Sequence, residues 1–143
     1  MALRKLIELL HKKECSLVLE DKQGNIRLFY KSGVRDLEGL LDNEPETLEG
    51  AIIADKVIGK AAAGMIACGG VKEVYAEVLS RKALPLLEDN GIRYSYGELV
   101  DQIIIPKGDA RCPLEEIVST AHTAEETVER LRQHFAEMKK FSK

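Results

Sequence analysis

Asp55, Lys56 and Lys60 stand where an apolar run gives way to an Ala/Gly-rich one, in AIIADKVIGKAAAGMIACGG (51–70). Ser80, Arg81 and Lys82 stand at the end of the next apolar run, KEVYAEVLS (72–80). Charges at strand-to-helix junctions suit two kinds of chemistry. Cations beside helix N-termini attract a phosphate or carboxylate. A carboxylate among them hydrogen-bonds a hydroxyl or amino group, or serves as a base. Cys112 and Glu115, in CPLE (112–115), form a second candidate. A thiol just before a helix that opens with Pro113 sits at the positive helix end, where a thiolate is stabilised, and Glu115 is placed to accept its proton.

Every one of these residues also has a structural reading. Asp55 and Ser80 are favoured N-caps, and lysines four apart suit a solvated helix face. Cys112 suits a half-buried capping position, and Glu115 can bond back to its own helix start. Cys15 and Cys68 read as core. His11, His122 and His134 make neither HxH nor HExxH spacing, and nothing matches GxGxxG or a P-loop.

The elements that must position these groups follow from hydrophobic spacing. Leu3, Leu6, Ile7 and Leu10 share a helical face over 3–13. The runs 15–20 and 25–30 flank a Lys-Gln-Gly turn and predict a hairpin. A short helix over 34–42 and a polar loop over 43–49 come next. GAIIA (50–54) has the pattern of a strand buried on both faces, and 55–70 reads as its helix, stopped by Gly69-Gly70. Strand 72–80, helix 81–91 and strand 92–96 complete a βαβαβ unit with a parallel core. DQIIIP (101–106) is a further strand candidate, a Gly-Asp-Ala-Arg loop and a short helix from Cys112 follow, and 122–141 is a long helix. Thr123 and Glu126 suit a capping box at its start. Its stripe of Val128, Leu131, Phe135 and Met138 suits packing on the sheet or, alternatively, a homodimer interface.

Composition sets the bounds. The chain has 143 residues, 45% of them hydrophobic, with a net charge of −3 and three widely spaced cysteines without a CxxC. This is one α/β domain over 1–143, with neither a disulfide framework nor zinc-ribbon spacing. The mild acidity and the lack of a basic, aromatic-interleaved stripe disfavour nucleic acid. The N-terminal run carries Glu8 inside its apolar stripe and reads as an amphipathic helix, not a signal peptide. No run has the length of a membrane span. A cytoplasmic protein without a membrane partner is the expectation.

SLVLE…GNI, ADKVIGKAAA, GVKEVYAEVLS, the NGI–Y–Y stretch and CPLE together resemble a small family of uncharacterised prokaryotic proteins. That family is catalogued as a domain of unknown function and assigned to the cytidine-deaminase-like fold. The resemblance spans residues 3–135 and implies a three-layer α/β/α sandwich on a mixed sheet, with the hairpin at one edge. Zinc deaminases place a His or Cys, then a Glu, at one helix start and P-C-x-x-C at the next. This chain has neither: one start reads Ala54-Asp55-Lys56, the other Leu79-Ser80-Arg81-Lys82. Zinc and its reaction are therefore not expected, and no cofactor is. The resemblance leaves Asp55, Lys56, Ser80 and Arg81 at the corner where a deaminase keeps its metal.

The expected function is zinc-independent binding of a small anionic or nucleotide-like ligand. Lys56, Lys60 and Arg81 hold its anionic part, Asp55 a polar group, and Ser80, Cys112 and Glu115 complete the site. The alternatives are a metal-free enzyme using Asp55/Lys56 as an acid–base pair or Cys112 as nucleophile, and a homodimeric interaction module.

Overall fold

The computed structural model of the chain describes residues 2–30, 35–101, 115 and 117–141. Helix α1 (Ala2–Lys12) buries Leu6 and Leu10 completely, as their spacing requires. Strands β1 (Leu17–Glu20) and β2 (Ile26–Phe29) form the antiparallel hairpin. Asp21 closes its turn by accepting from the backbone N–H groups of Gln23 and Asn25 at 2.9 Å. Helix α2 (Arg35–Asn43) follows. The expected polar loop over 43–49 instead holds a one-turn helix, α3 (Pro45–Leu48). Pro45 presets its first turn and the fully buried Leu48 anchors it.

The largest departure comes next. Strand β3 (Ile52–Ile58) does not stop at Ala54: Val57 and Ile58 are β-branched and carry it on. Helix α4 (Lys60–Gly69) begins only after Gly59, so Asp55 and Lys56 lie inside a strand. The helix ends where the glycine pair predicts, with Gly70 left-handed at φ 77°. Strand β4 (Glu73–Ser80), a 3₁₀ turn (Arg81–Ala83), helix α5 (Leu84–Asp89) and strand β5 (Arg93–Val100) complete the βαβαβ unit. β5 runs four residues past its expected end. The strand candidate 101–106, the loop after it and Cys112 lie outside the described residues, Asp101 apart. Helix α6 (Ala124–Phe141) is the long terminal helix. Glu126 N–H donates to Thr123 Oγ1 at 3.1 Å, and the Glu126 carboxylate reaches back to the N–H of His122 at 2.8 Å, one residue beyond a capping box.

The sheet order is β2-β1-β3-β4-β5, with the hairpin antiparallel at one edge and β3, β4 and β5 parallel. Alternation divides the core. Leu17, Leu19, Ile53 and Val74 point to the side of α2, α4 and α5, while Val18 and Ala54 meet Leu6 and Leu10 of α1. The result is a mixed α/β sandwich on an open five-stranded sheet. Among the described residues no helix is long and apolar enough to cross a membrane.

Helix α6 packs on α4 and not on the sheet, burying Val128 and Leu131 there. The two helices meet where α4 has Gly64: a Cβ there would lie 2.5 Å from Thr127 Cγ2. Alanine in an ordinary helix would gain about 1 kcal/mol over glycine. Here the clash wins, and Gly64→Ala lowers stability by about 1–3 kcal/mol in urea unfolding. An unchanged midpoint would mean that the helices separate without cost.

Candidate functional site

Gly59 caps α4 without a side chain, which leaves the helix's first N–H groups to be satisfied from elsewhere. Glu115 supplies the acceptors from fifty-five residues away. Its Oε1 accepts from Lys60 N–H at 2.8 Å and its Oε2 from Ala61 N–H at 2.9 Å. The carboxylate is 8% exposed. It seats there because position 59 has no side chain, a Cβ at Gly59 lying 2.6 Å from Glu115 Oε1. Lys60 ties the same segment from the other direction, donating through Nζ to the carbonyls of Ser119 (3.1 Å) and Ala121 (2.6 Å). Burial lowers the Lys60 pKa, with Glu115 pulling it back up. Glu115 is thus a cap of α4.

Ser80 is fully buried and accepts from the backbone N–H of Lys82 at 3.1 Å, the N-cap reading. Arg81 Nε donates to Asp101 Oδ1 at 3.0 Å on the surface. Of the three cations expected to share an anion, Lys60 and Arg81 therefore have partners within the chain.

Asp55 and Lys56 are parted by the pleat, since neighbouring strand residues point to opposite faces. Asp55 follows Ile53 to the α2/α4 side, where it sits in the cross-sheet row Phe29–Leu17–Asp55–Ala76–Tyr96. Lys56 follows Ala54 to the α1 side, where its charge reaches Cys15. The two are not an acid–base pair. Asp55 is 7% exposed, and burial raises its carboxyl from the ordinary 3.8 to about 7. Backbone N–H groups of Val57 and Lys56 oppose the rise, and Asp36 on α2 adds to it. Its Oδ1 accepts from Val57 N–H at a long 3.3 Å. Asp36 also lines a cleft of about 180 Å³, where Arg27 pairs with Glu44 at 3.0 Å and lies over the Phe29 ring.

The buried polar residues thus fall into two groups. Ser80, Glu115 and Thr127 are spent on helix geometry, Thr127 Oγ1 donating to the carbonyl of Thr123 at 2.8 Å. Asp55 bonds to the amide of its own strand. Cys15 and Cys68 have thiols raised by burial, which makes both poor nucleophiles. Among the described residues no three His, Cys, Asp or Glu side chains gather to hold a metal ion. The start of α4 offers one carboxylate with both oxygens engaged and one ammonium, a donor set that does not fit zinc.

Asp36 and the distant cap were not found from sequence. The signal for the cap was present: a helix that opens on glycine, with no Ser, Thr, Asp or Asn at its start, must draw its cap from another segment.

A family model described as the domain of unknown function DUF1893 (TM1506) matches residues 5–135. The crystal structure of a DUF1893 family protein (TM1506) from Thermotoga maritima is similar to this chain with a TM-score of 0.82 and 27% sequence identity, over 92% of this chain and 88% of that one. No curated protein matches the chain.

Proposed function

The chain belongs to the DUF1893 family, and from that premise we propose that it is a zinc-independent small-molecule-binding domain of cytidine-deaminase-like fold, whose ligand is held at Asp55. The observation that carries this reading is the Asp55 carboxyl itself: buried in a central strand, raised to about 7 and bonded to its own strand's amide. A buried carboxyl of this kind is a candidate site residue, because burying one without a strong partner costs stability. It lies in the middle of the parallel strand β3, three residues before the carboxyl end at which open α/β sheets bind ligands.

The ligand class follows from the proton. Near neutrality Asp55 is available both as donor and as acceptor, which suits the amide or amidine edge of a nucleobase-like ring. The cations expected around Asp55 do not contribute: Lys60 and Arg81 are engaged elsewhere, and Lys56 lies on the opposite face of the sheet. The same carboxyl could act as an acid–base group if the ligand turns over, without Lys56 as its partner.

Thermal-shift screening of nucleosides and nucleotides tests this. A ligand at a hundred times its Kd should stabilise the wild type by about 2.7 kcal/mol, and Asp55→Asn should abolish that response. A ligand that shifts both proteins equally would place the site elsewhere.

A further inference from the structure

Parallel strands are normally covered on both faces. Among the described residues, β4 and β5 are covered by α4 and α5 on one side only. On the other side α1 packs over β1 and β3, reaching β4 through the contact of His11 Nε2 with Glu77 Oε1 at 2.5 Å. Among the described residues no helix lies over the rest of that face. It is not a charged surface throughout: Ile52, Ile7 and Leu3 floor a groove of about 570 Å³ between α1 and the strands. Four charges ring it, Arg4 and Glu8 from α1 with Glu73 and Arg93 from β4 and β5. Glu73 and Arg93 are direct cross-strand neighbours in the row that begins at Ile52. None of the four takes part in an ion pair among the described residues.

An apolar floor with two unpaired charges of each sign has no preference for an anion or a cation. It is self-complementary under a two-fold rotation, which sets each positive group of one copy against a negative group of the other. We propose that this groove is a homodimer interface in which α1 of each copy covers β4 and β5 of the other, with Arg4 facing Glu73 and Arg93 facing Glu8 across the two-fold axis. The dimer supplies a helix layer over the part of this face that no described helix covers, extending a contact of the kind that His11 and Glu77 already make within one chain. It does not use α6, whose Val128 and Leu131 are buried on α4, and it does not depend on Asp55 binding a ligand.

Sedimentation velocity at about 100 µM, enough to populate a dimer with a Kd near 10 µM, should show a dimer for the wild type. Arg4→Glu and Glu73→Arg, both surface changes, should each weaken it at least about tenfold by setting like charges together. Mixing the two variants should restore a heterodimer, because each then supplies the charge the other has lost. Far-UV circular dichroism confirms that both variants are folded. A monomeric wild type, or a dimer that neither reversal weakens, would overturn the proposal; the second result would point to α6 or the β5 edge. Failure of the mixture to associate would overturn the stated pairing.

Discussion

Glu115→Ala lowers the free energy of unfolding by about 3 kcal/mol, a fall of about 6–12 °C in Tm for a chain of this size. Two charge-assisted hydrogen bonds are lost, to Lys60 N–H and Ala61 N–H, each worth about 1.5–3 kcal/mol in favourable settings. The helix end also loses a negative charge near its positive dipole, and the N–H groups it satisfied are left at a closely packed end. Some recovery is expected, since water can enter the space the side chain vacates. Glu115→Gln keeps an acceptor for one N–H but turns an amide donor toward the other, so its cost falls between the two. Lys60→Met, which removes the bonds to Ser119 and Ala121, costs less, and the double variant costs less than the sum. Non-additivity is the informative result, because both side chains hold one segment against one helix end. If Glu115→Ala unfolds at the wild-type midpoint, the carboxylate is not a cap and is free to serve a ligand.

This cap also answers what fills the anion-favouring start of α4. The N–H groups that would cradle a phosphate are taken by the chain's own carboxylate, and the lysine that would neutralise it is turned to two carbonyls. An anion could bind there only by displacing Glu115 and loosening the segment 117–121. The candidate site therefore contracts from a cluster of cations to the single carboxyl of β3.

Local patterns were legible in the sequence and long-range satisfaction was not. Leu6 and Leu10 at helical spacing, the β-rich runs around Gly24 and the succession of apolar runs with short joints predicted α1, the hairpin and the βαβαβ core. The end of β3 was misplaced because Asp55-Lys56 looks like a junction, whereas Val57-Ile58 continues the strand and Gly59 is the true break. That shift of four residues changes the chemistry. It converts neighbours at one helix start into side chains on opposite faces of a sheet. Val128 and Leu131 of the α6 stripe announced burial but could not name their partner, since an apolar face fits a helix or a sheet. The Glu115 cap joins groups far apart in the chain, and periodicity carries no information at that distance.

Asp55→Asn should stabilise the protein at alkaline pH, an unusual result for a buried polar substitution. The sign follows from the direction of the shift. The folded carboxyl is raised to about 7, above its ordinary 3.8, so between these values the folded state binds the proton more tightly than the unfolded chain. Stability is then highest at low pH, declines as pH rises from about 4 and reaches its floor above about 7, where ionised Asp55 is buried at a cost. The shift corresponds to a ceiling of about 4 kcal/mol. Asparagine keeps an oxygen for the Val57 N–H and carries no charge at any pH. Urea unfolding should show the variant about 2–4 kcal/mol more stable than wild type at pH 8 and nearly equal to it at pH 4. A variant less stable than wild type at pH 8 would mean that the carboxylate is ionised and held by a cation, contrary to the site described here. The expected outcome bears directly on function. A scaffold residue that lowers stability is readily replaced, whereas sites keep groups whose chemistry is worth more than their cost in folding. If asparagine at position 55 yields a more stable protein that no longer responds to ligand, the carboxyl serves binding at the expense of the fold.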